Sequence, residues 1–324
     1  MTAYADGMRV ALALGSGGAR GYAHIGVLEV LAERGHEVNA IAGTSVGALV
    51  GGLHAAGRLP EFTAWVTGLT QRELLLLLDP ALGSPGVVRA QRVLDRIADM
   101  LGDARIEELP IPFVAVATDL MAQREVWFER GPVAAAIRAS IAIPTAITPV
   151  KLHGRVLADG GIMNPVPMDA LSVWSSDFTM AVDLNATPGR GWSGQPVSAS
   201  ADETAEGWFG GLRRSAVQAA AQAAAQFQAT PLGQLGRHGT DNPAENAGLG
   251  FEDLPRDLKT ADVLTLSLNA SQALVTRFRT AANPPDVWVH VPVDSCGTLD
   301  FLRATEMIEL GRGLAADALD RAGY

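Results

Sequence analysis

Two strand-to-helix junctions within the first sixty residues constrain this chain more than any other feature. Residues 9–14 (RVALAL) form a short apolar run, pass through the loop Gly15-Ser16-Gly17-Gly18-Ala19-Arg20-Gly21, and enter an amphipathic stretch over residues 21–34. Residues 38–43 (VNAIAG) repeat the pattern, reaching Ser45 and continuing with helical character over residues 46–56, where Gly57 and Pro60 stop the helix. Short apolar runs ending at glycine read as buried strands, and strands that each feed a helix predict a parallel sheet.

The alternation continues. Helices are expected over residues 61–69, 89–101, 132–140 and 165–174, and strands over 112–118, 125–128, 146–150, 156–157 and 178–184. Further on, a strand at 263–268, a helix near 272–282, a strand at 287–291 and a helix at 303–322 are expected. The regions near 185–210 and 229–258, rich in Gly, Pro, Ser and Asn, read as long loops. Between them, residues 212–227 form an Ala/Gln helix with Gln218, Gln222 and Gln226 on one face. The pattern predicts an α/β fold with a mostly parallel central sheet sandwiched by helices in three layers, carrying additional C-terminal helices and strands. No internal repeat is visible.

Composition narrows the function classes. A formal net charge of −10 opposes binding along a nucleic-acid backbone or electrostatic docking on anionic lipid, since both need clustered cations. Any lipid contact would therefore be apolar and local. The single cysteine, Cys296, cannot form an internal disulfide or a thiol-rich metal site. Residues 1–8 carry no basic residue or apolar leader core, and no run of eighteen apolar residues occurs, so a cytoplasmic location without a spanning helix is expected.

Gly43-Thr44-Ser45-Val46-Gly47 fits G-x-S-x-G, in which glycines flanking a serine permit a sharp turn that lifts the hydroxyl above a strand end. With glycine this abundant, the pattern arises by chance in about one chain in five of this length, so its place between a strand and a helix carries the argument. Attack by a hydroxyl also needs donors for a developing oxyanion, and the Gly15 to Gly21 loop can supply backbone N–H groups at a helix N-terminus. A dinucleotide cradle fits less well. Counted from Gly15, the last glycine of G-x-G-x-x-G falls on Arg20, and no Walker sequence follows.

Serine needs a base. The six histidines are His24, His36, His54, His153, His238 and His290; an ordinary triad would use His238 or His290. Against that, only one strand precedes residue 38, His238 lies in a Gly-rich stretch, and His290 alternates with valines on a strand. Asp159-Gly160-Gly161 is a carboxylate alternative, although the same residues could form a simple turn. No H-E-x-x-H, Cys cluster or EF-hand pattern is present, so neither metal nor cofactor is expected.

Several ordered segments together resemble the bacterial patatin-like phospholipases: the glycine loop with Arg20, the continuation Ala23-His24-Ile25-Gly26-Val27-Leu28, the Gly43 to Gly47 elbow and Asp159-Gly160-Gly161. Ala117-Thr118-Asp119-Leu120, Arg138-Ala139-Ser140-Ile141-Ala142-Ile143-Pro144 and Asn164-Pro165-Val166-Pro167 belong to the same resemblance. It covers about residues 8–184. Beyond that it is weak, apart from the strand at 286–292 and the final helix.

The resemblance implies a patatin-like fold and a lipid acyl hydrolase of the phospholipase or lysophospholipase type. Ser45 would be the nucleophile, Asp159 the base, and the amides of Gly17 and Gly18, with Ala19, the oxyanion hole. Gly15, Ser16, Arg20, Gly21, Gly43, Gly47, Gly160 and Gly161 would support them. Ser16 stands where many relatives have glycine. The substrate would be an acyl lipid, met by peripheral membrane contact. A core over 8–184 and an extension over 185–324 packed on it are expected. With a carboxylate pKa of about 4, Asp159 would be a weak base, which throws weight on the oxyanion amides. A non-catalytic regulatory or partner-binding module on the same scaffold is the alternative.

Overall fold

A computed structural model describes residues 7–77, 86–88, 91–186 and 260–324. Strand β1 (Arg9–Leu14) shows how the sequence builds the sheet. Its large residues Val10, Leu12 and Leu14 alternate with Ala11 and Ala13, and all five are fully buried. Period-two alternation sends the large side chains to one face and the alanines to the other. On the large-residue face they join side chains of helices α1 (Ala23–Glu33), α2 (Val46–Ala55), α3 (Leu59–Thr67), α5 (Gln91–Leu101) and α6 (Val133–Ser140). On the alanine face, Ala11, Ala13, Ala40 and Ala42 let the segment from Val166 to Leu171 approach closely.

The remaining elements are α4 (Gln71–Leu77), β2 (Glu37–Thr44), β3 (Gly86–Val88), β4 (Phe113–Asp119), β5 (Arg124–Phe128), β6 (Thr145–Ile147), β7 (Val150–Leu152), β8 (Arg155–Asp159), β9 (Phe178–Ala186), α7 (Thr260–Ala282), β10 (Val287–Pro292) and α8 (Ala304–Ala322). The main sheet has eight strands in the order β10-β9-β1-β2-β4-β8-β7, with β5 paired to β4. From β10 to β4 every pairing is parallel, whereas β8, β7 and β5 join antiparallel. The sheet is thus mixed and flanked by helices, with its parallel portion where the sequence places it. A separate parallel pair joins β3 to β6.

Described residues up to Ala186 and from Leu268 onward fall in one compact unit; Thr260–Ser267, the first turns of α7, are assigned to another. Among the described residues, no helix is long and apolar enough to cross a membrane. The helix expected over 212–227 and the loop expected over 229–258 lie outside the described residues. So does the loop expected near 185–210, except that β9 runs on to Ala186.

Three expectations are corrected. Residues 263–268 are helical, part of α7. Their leucines at 264, 266 and 268 alternate like a strand, but no Gly or Pro interrupts residues 260–282, so the helix continues through them. The helix expected over 165–174 is a single 3₁₀ turn, Met168–Leu171, because Pro165 and Pro167 remove amides that a helix would need. The strand expected at 146–150 is divided into β6 and β7 around Pro149.

Candidate active site

Strand register brings the two chief sequence candidates together. Thr44 on β2 lies opposite Val116 on β4, and the next residue of β4, Ala117, lies opposite Asp159 at the end of β8. Ser45 therefore continues from β2 at the level of Asp159, with β4 between their strands. The distance closes because Gly160 has no side chain: a Cβ there would lie 2.2 Å from the Val116 carbonyl oxygen and 3.0 Å from Thr44 Cγ2. Ser45 Oγ donates to Asp159 Oδ2 at 2.5 Å.

Ser45 sits at φ 58°, ψ −123°, between β2 and α2. A non-glycine residue in this region stores about 1–3 kcal/mol of strain, held by surrounding contacts. Two contacts are visible. The Ser45 N–H donates to Ser140 Oγ at 2.8 Å, and that hydroxyl donates to the Val116 carbonyl at 2.5 Å. The flanking glycines are required by packing: a Cβ on Gly43 would meet the Gly47 carbonyl oxygen at 2.5 Å, and one on Gly47 would meet the Leu14 carbonyl oxygen at 2.0 Å.

Asp159 is buried, and Gly161 N donates to its Oδ1 at 2.7 Å. Thr118 Oγ1 donates to its carbonyl oxygen at 2.9 Å. Burial pushes the Asp159 carboxyl up to about 6, and the hydrogen bonds from Ser45 and Gly161 only partly offset this. The value of about 4 assumed from an unperturbed carboxylate is corrected accordingly. A higher pKa makes the carboxylate a stronger proton acceptor while leaving it mostly ionised at neutral pH.

The glycine loop leaves β1 at the adjacent strand end. Gly15 N and Ser16 N donate to the carbonyls of Val182 and Pro165, and Ala19 N donates to Thr298 at 2.9 Å. The Ala19 amide is thus already engaged. Those of Gly17 and Gly18 have no partner among the described residues. Gly18 has φ 60°, and a Cβ there would lie 2.3 Å from the Thr298 carbonyl oxygen, so both backbone conformation and space call for glycine. A Cβ on Gly21 would lie 2.2 Å from Val46 Cγ2, which brings the loop's helical end against the residue after Ser45.

Arg20 pins the loop. Its Nε donates to Leu184 O at 2.8 Å, its Nη1 to Cys296 O at 2.9 Å and Val293 O at 3.3 Å, and its Nη2 to Asn185 Oδ1 at 2.9 Å. Asn185 Nδ2 then donates to Ser16 O. Beneath the loop, His24 lies within hydrogen-bond distance of Gly15 O, 2.9 Å from Nε2. Complete burial pushes His24 down to about 4, so it is neutral at pH 7 and Nε2–H is the donor.

No described histidine bonds Ser45. His290 stacks on Trp288 and faces Asp183 at 3.9 Å, His153 is exposed in the β7–β8 turn, and His238 lies outside the described residues. Among the described residues no three His, Cys, Asp or Glu side chains gather as a metal site would.

Sequence reasoning assigned no role to Ser140, Asn185 or Asn164. Asn164 is fully buried; its carbonyl accepts from Thr44 Oγ1, and its Nδ2 donates to Glu125 and Asp169. Ser140 and Asn164 do fall in segments of the family resemblance, the one signal that could have found them.

Comparison with known proteins places the chain in a family. Residues 12–172 match the family model described as patatin-like phospholipase. Uncharacterized NTE family proteins of Mycobacterium bovis and Mycobacterium tuberculosis are each 43% identical, over 96% of this chain and 91% of their own length. The patatin-like phospholipase domain-containing protein 7 of Mus musculus is 32% identical over 56% of this chain and 14% of its own. The solved structure of VipD from Legionella pneumophila aligns with 98% of this chain and 67% of its own, at 13% identity and a TM-score of 0.49. On the family model and the near full-length relatives, the chain belongs to the patatin-like phospholipase family.

Proposed function

We propose that this chain hydrolyses carboxylic esters of acyl lipids through a Ser-Asp dyad. The observation that carries this reading is the 2.5 Å hydrogen bond from Ser45, on a positive-φ turn, to the buried carboxylate of Asp159. Ser45 Oγ attacks the ester carbonyl as Asp159 accepts its proton, and the amides of Gly17 and Gly18 receive the oxyanion. Asp159 then protonates the departing alcohol, and water repeats the sequence on the acyl-serine. Membership of the patatin-like phospholipase family supports lipid hydrolysis as the class of reaction. The core over 8–184 carries the dyad, and the extension over 185–324 adds β10, α8 and the later turns of α7. Approach to lipid is peripheral.

The test is hydrolysis of short-chain aryl esters and a lysophospholipid by the full chain. Wild-type turnover is expected, with a loss of about 10³-fold or more in Ser45→Ala and Asp159→Asn. Activity lost in His290→Ala or His238→Ala but kept in Asp159→Asn would favour a triad instead.

A further inference from the structure

Helix α7 brings to the dyad a group that lies outside the matched family segment. A Cβ built on Gly161 would lie 2.7 Å from Ser16 Oγ, 2.9 Å from Asp159 Oδ1 and 2.9 Å from Gln272 Nε2. Polar atoms from three separate elements thus converge around the Gly161 Cα, beside the Asp159 oxygen that does not hold Ser45. Ser16 is 4% exposed, and its hydroxyl has no hydrogen-bond partner among the described residues. A buried hydroxyl without a partner is costly, and it marks a place where a water or ligand group completes the bonding. Gln272 is half-buried, and its carboxamide likewise has no partner among the described residues.

The place of Gln272 is fixed from further along the helix. Arg279 Nη2 donates to Glu125 Oε1 at 2.5 Å and to Asp169 Oδ2 at 2.6 Å. Asn164 Nδ2 donates to the same two carboxylates, tying this clamp to the segment that follows Asp159. Gln272, Thr276, Arg279 and Thr280 share one helical face by their spacing, and both threonines are buried.

The chemistry of the subsite is neutral. Ser16 and Gln272 each donate and accept without charge. Arg20, the cation of the same loop, has its guanidinium committed to three carbonyls and Asn185. The set suits an uncharged O–H group better than a phosphate.

Resting on the hydrolase reading above, we infer that Ser16 and Gln272 form a neutral subsite beside Asp159 for the O–H group exchanged in the reaction, either the departing alcohol or the incoming water. In the first half, the Ser45 Oγ to acyl carbon bond forms as the ester C–O bond breaks, and the alcohol takes from Asp159 the proton that Ser45 gave up. In the second, water bonds to the acyl carbon and gives a proton to Asp159, which returns it to Ser45 Oγ as the acid leaves. Both halves bring one O–H group to the Asp159 carboxylate.

The experiment uses the full chain with Gln272→Leu and Ser16→Ala, assayed on a monoacylglycerol and a nitrophenyl ester of the same acyl length, with acyl-Ser45 followed by intact mass after rapid quench. A fall of about 3- to 10-fold in kcat/KM for the glycerol ester relative to the nitrophenyl ester supports the subsite and assigns it to the alcohol. Slower turnover of both esters, with acyl-Ser45 accumulating, supports it and assigns it to water. Equal losses in the acylation rate of both esters, or wild-type rates on both, overturn it. Gln272→Glu keeps the size and adds a negative charge facing Asp159, so the pH of half-maximal activity should rise; an unmoved profile also counts against the subsite. Wild-type protein that hydrolyses neither ester and forms no acyl-Ser45 contradicts the hydrolase reading and takes the subsite with it.

Discussion

Ser140 Oγ stands between the Ser45 backbone and strand β4, accepting the Ser45 N–H at 2.8 Å and donating to the Val116 carbonyl at 2.5 Å. One hydroxyl therefore ties the strained turn to the strand that the dyad spans. It satisfies two backbone groups in a fully buried site. Ser140→Ala leaves both unpaired, with an expected loss of about 1–3 kcal/mol in urea unfolding. With its turn free to relax, Ser45 should also lose about 10-fold or more in kcat with little change in KM. A wild-type kcat in folded Ser140→Ala would show that the turn holds itself.

The Arg20 guanidinium fixes the glycine loop to β9 and to the residues before α8. Lysine cannot reproduce its fork. Arg20→Lys should cost about 2–4 kcal/mol of stability by leaving buried carbonyls unpaired, and should lower kcat by misplacing the Gly17 and Gly18 amides. Urea unfolding alongside steady-state kinetics checks both effects.

Asp159 must be ionised to accept a proton, and burial holds its carboxyl at about 6. Activity should therefore fall as pH drops through about 6. The same shift bears on stability with the opposite sense. Because the folded pKa exceeds the unfolded value of about 3.9, the stability this group contributes is fully present below about pH 4 and is lost as pH rises through about 6. Asp159→Asn, inactive but uncharged, should be more stable than wild type by about 1–3 kcal/mol above pH 7, with the difference vanishing below pH 4. Denaturant melts at pH 4 and pH 8 measure it.

Gly160 permits the approach of β8 to the elbow. Gly160→Ala places a Cβ 2.2 Å from the Val116 carbonyl oxygen, so Asp159 must move away from Ser45. A displacement of about 1 Å is expected to lower kcat by about 100-fold. Kinetics on folded protein, checked by circular dichroism, would reveal it.

How much of this could be read in the sequence follows from the range of each interaction. The junctions at Gly15 and Ser45 were legible because strand, glycine turn and helix are local patterns; β1, β2, α1 and α2 lie within a few residues of their expected places. The pairing of Ser45 with Asp159 was not, since it depends on the register of β4 between them, 114 residues of separation apart. Only the family resemblance proposed it. Ser140 ends an ordinary helix, and nothing local marks its hydroxyl as the partner of the Ser45 amide. The leucines at 264, 266 and 268 misled because their alternation imitates a strand, and this concealed how long α7 is. The position of Gln272 beside Gly161 is tertiary altogether.

The proposed hydrolysis depends above all on Ser45 being a nucleophile activated within this site. Treating the full chain with a fluorophosphonate and mapping the adduct by peptide mass spectrometry tests it most directly. One covalent adduct on Ser45 is expected, absent in Ser45→Ala and formed far more slowly in Asp159→Asn. Folded wild-type protein that takes up no label, or a label equally present in Ser45→Ala, would contradict it.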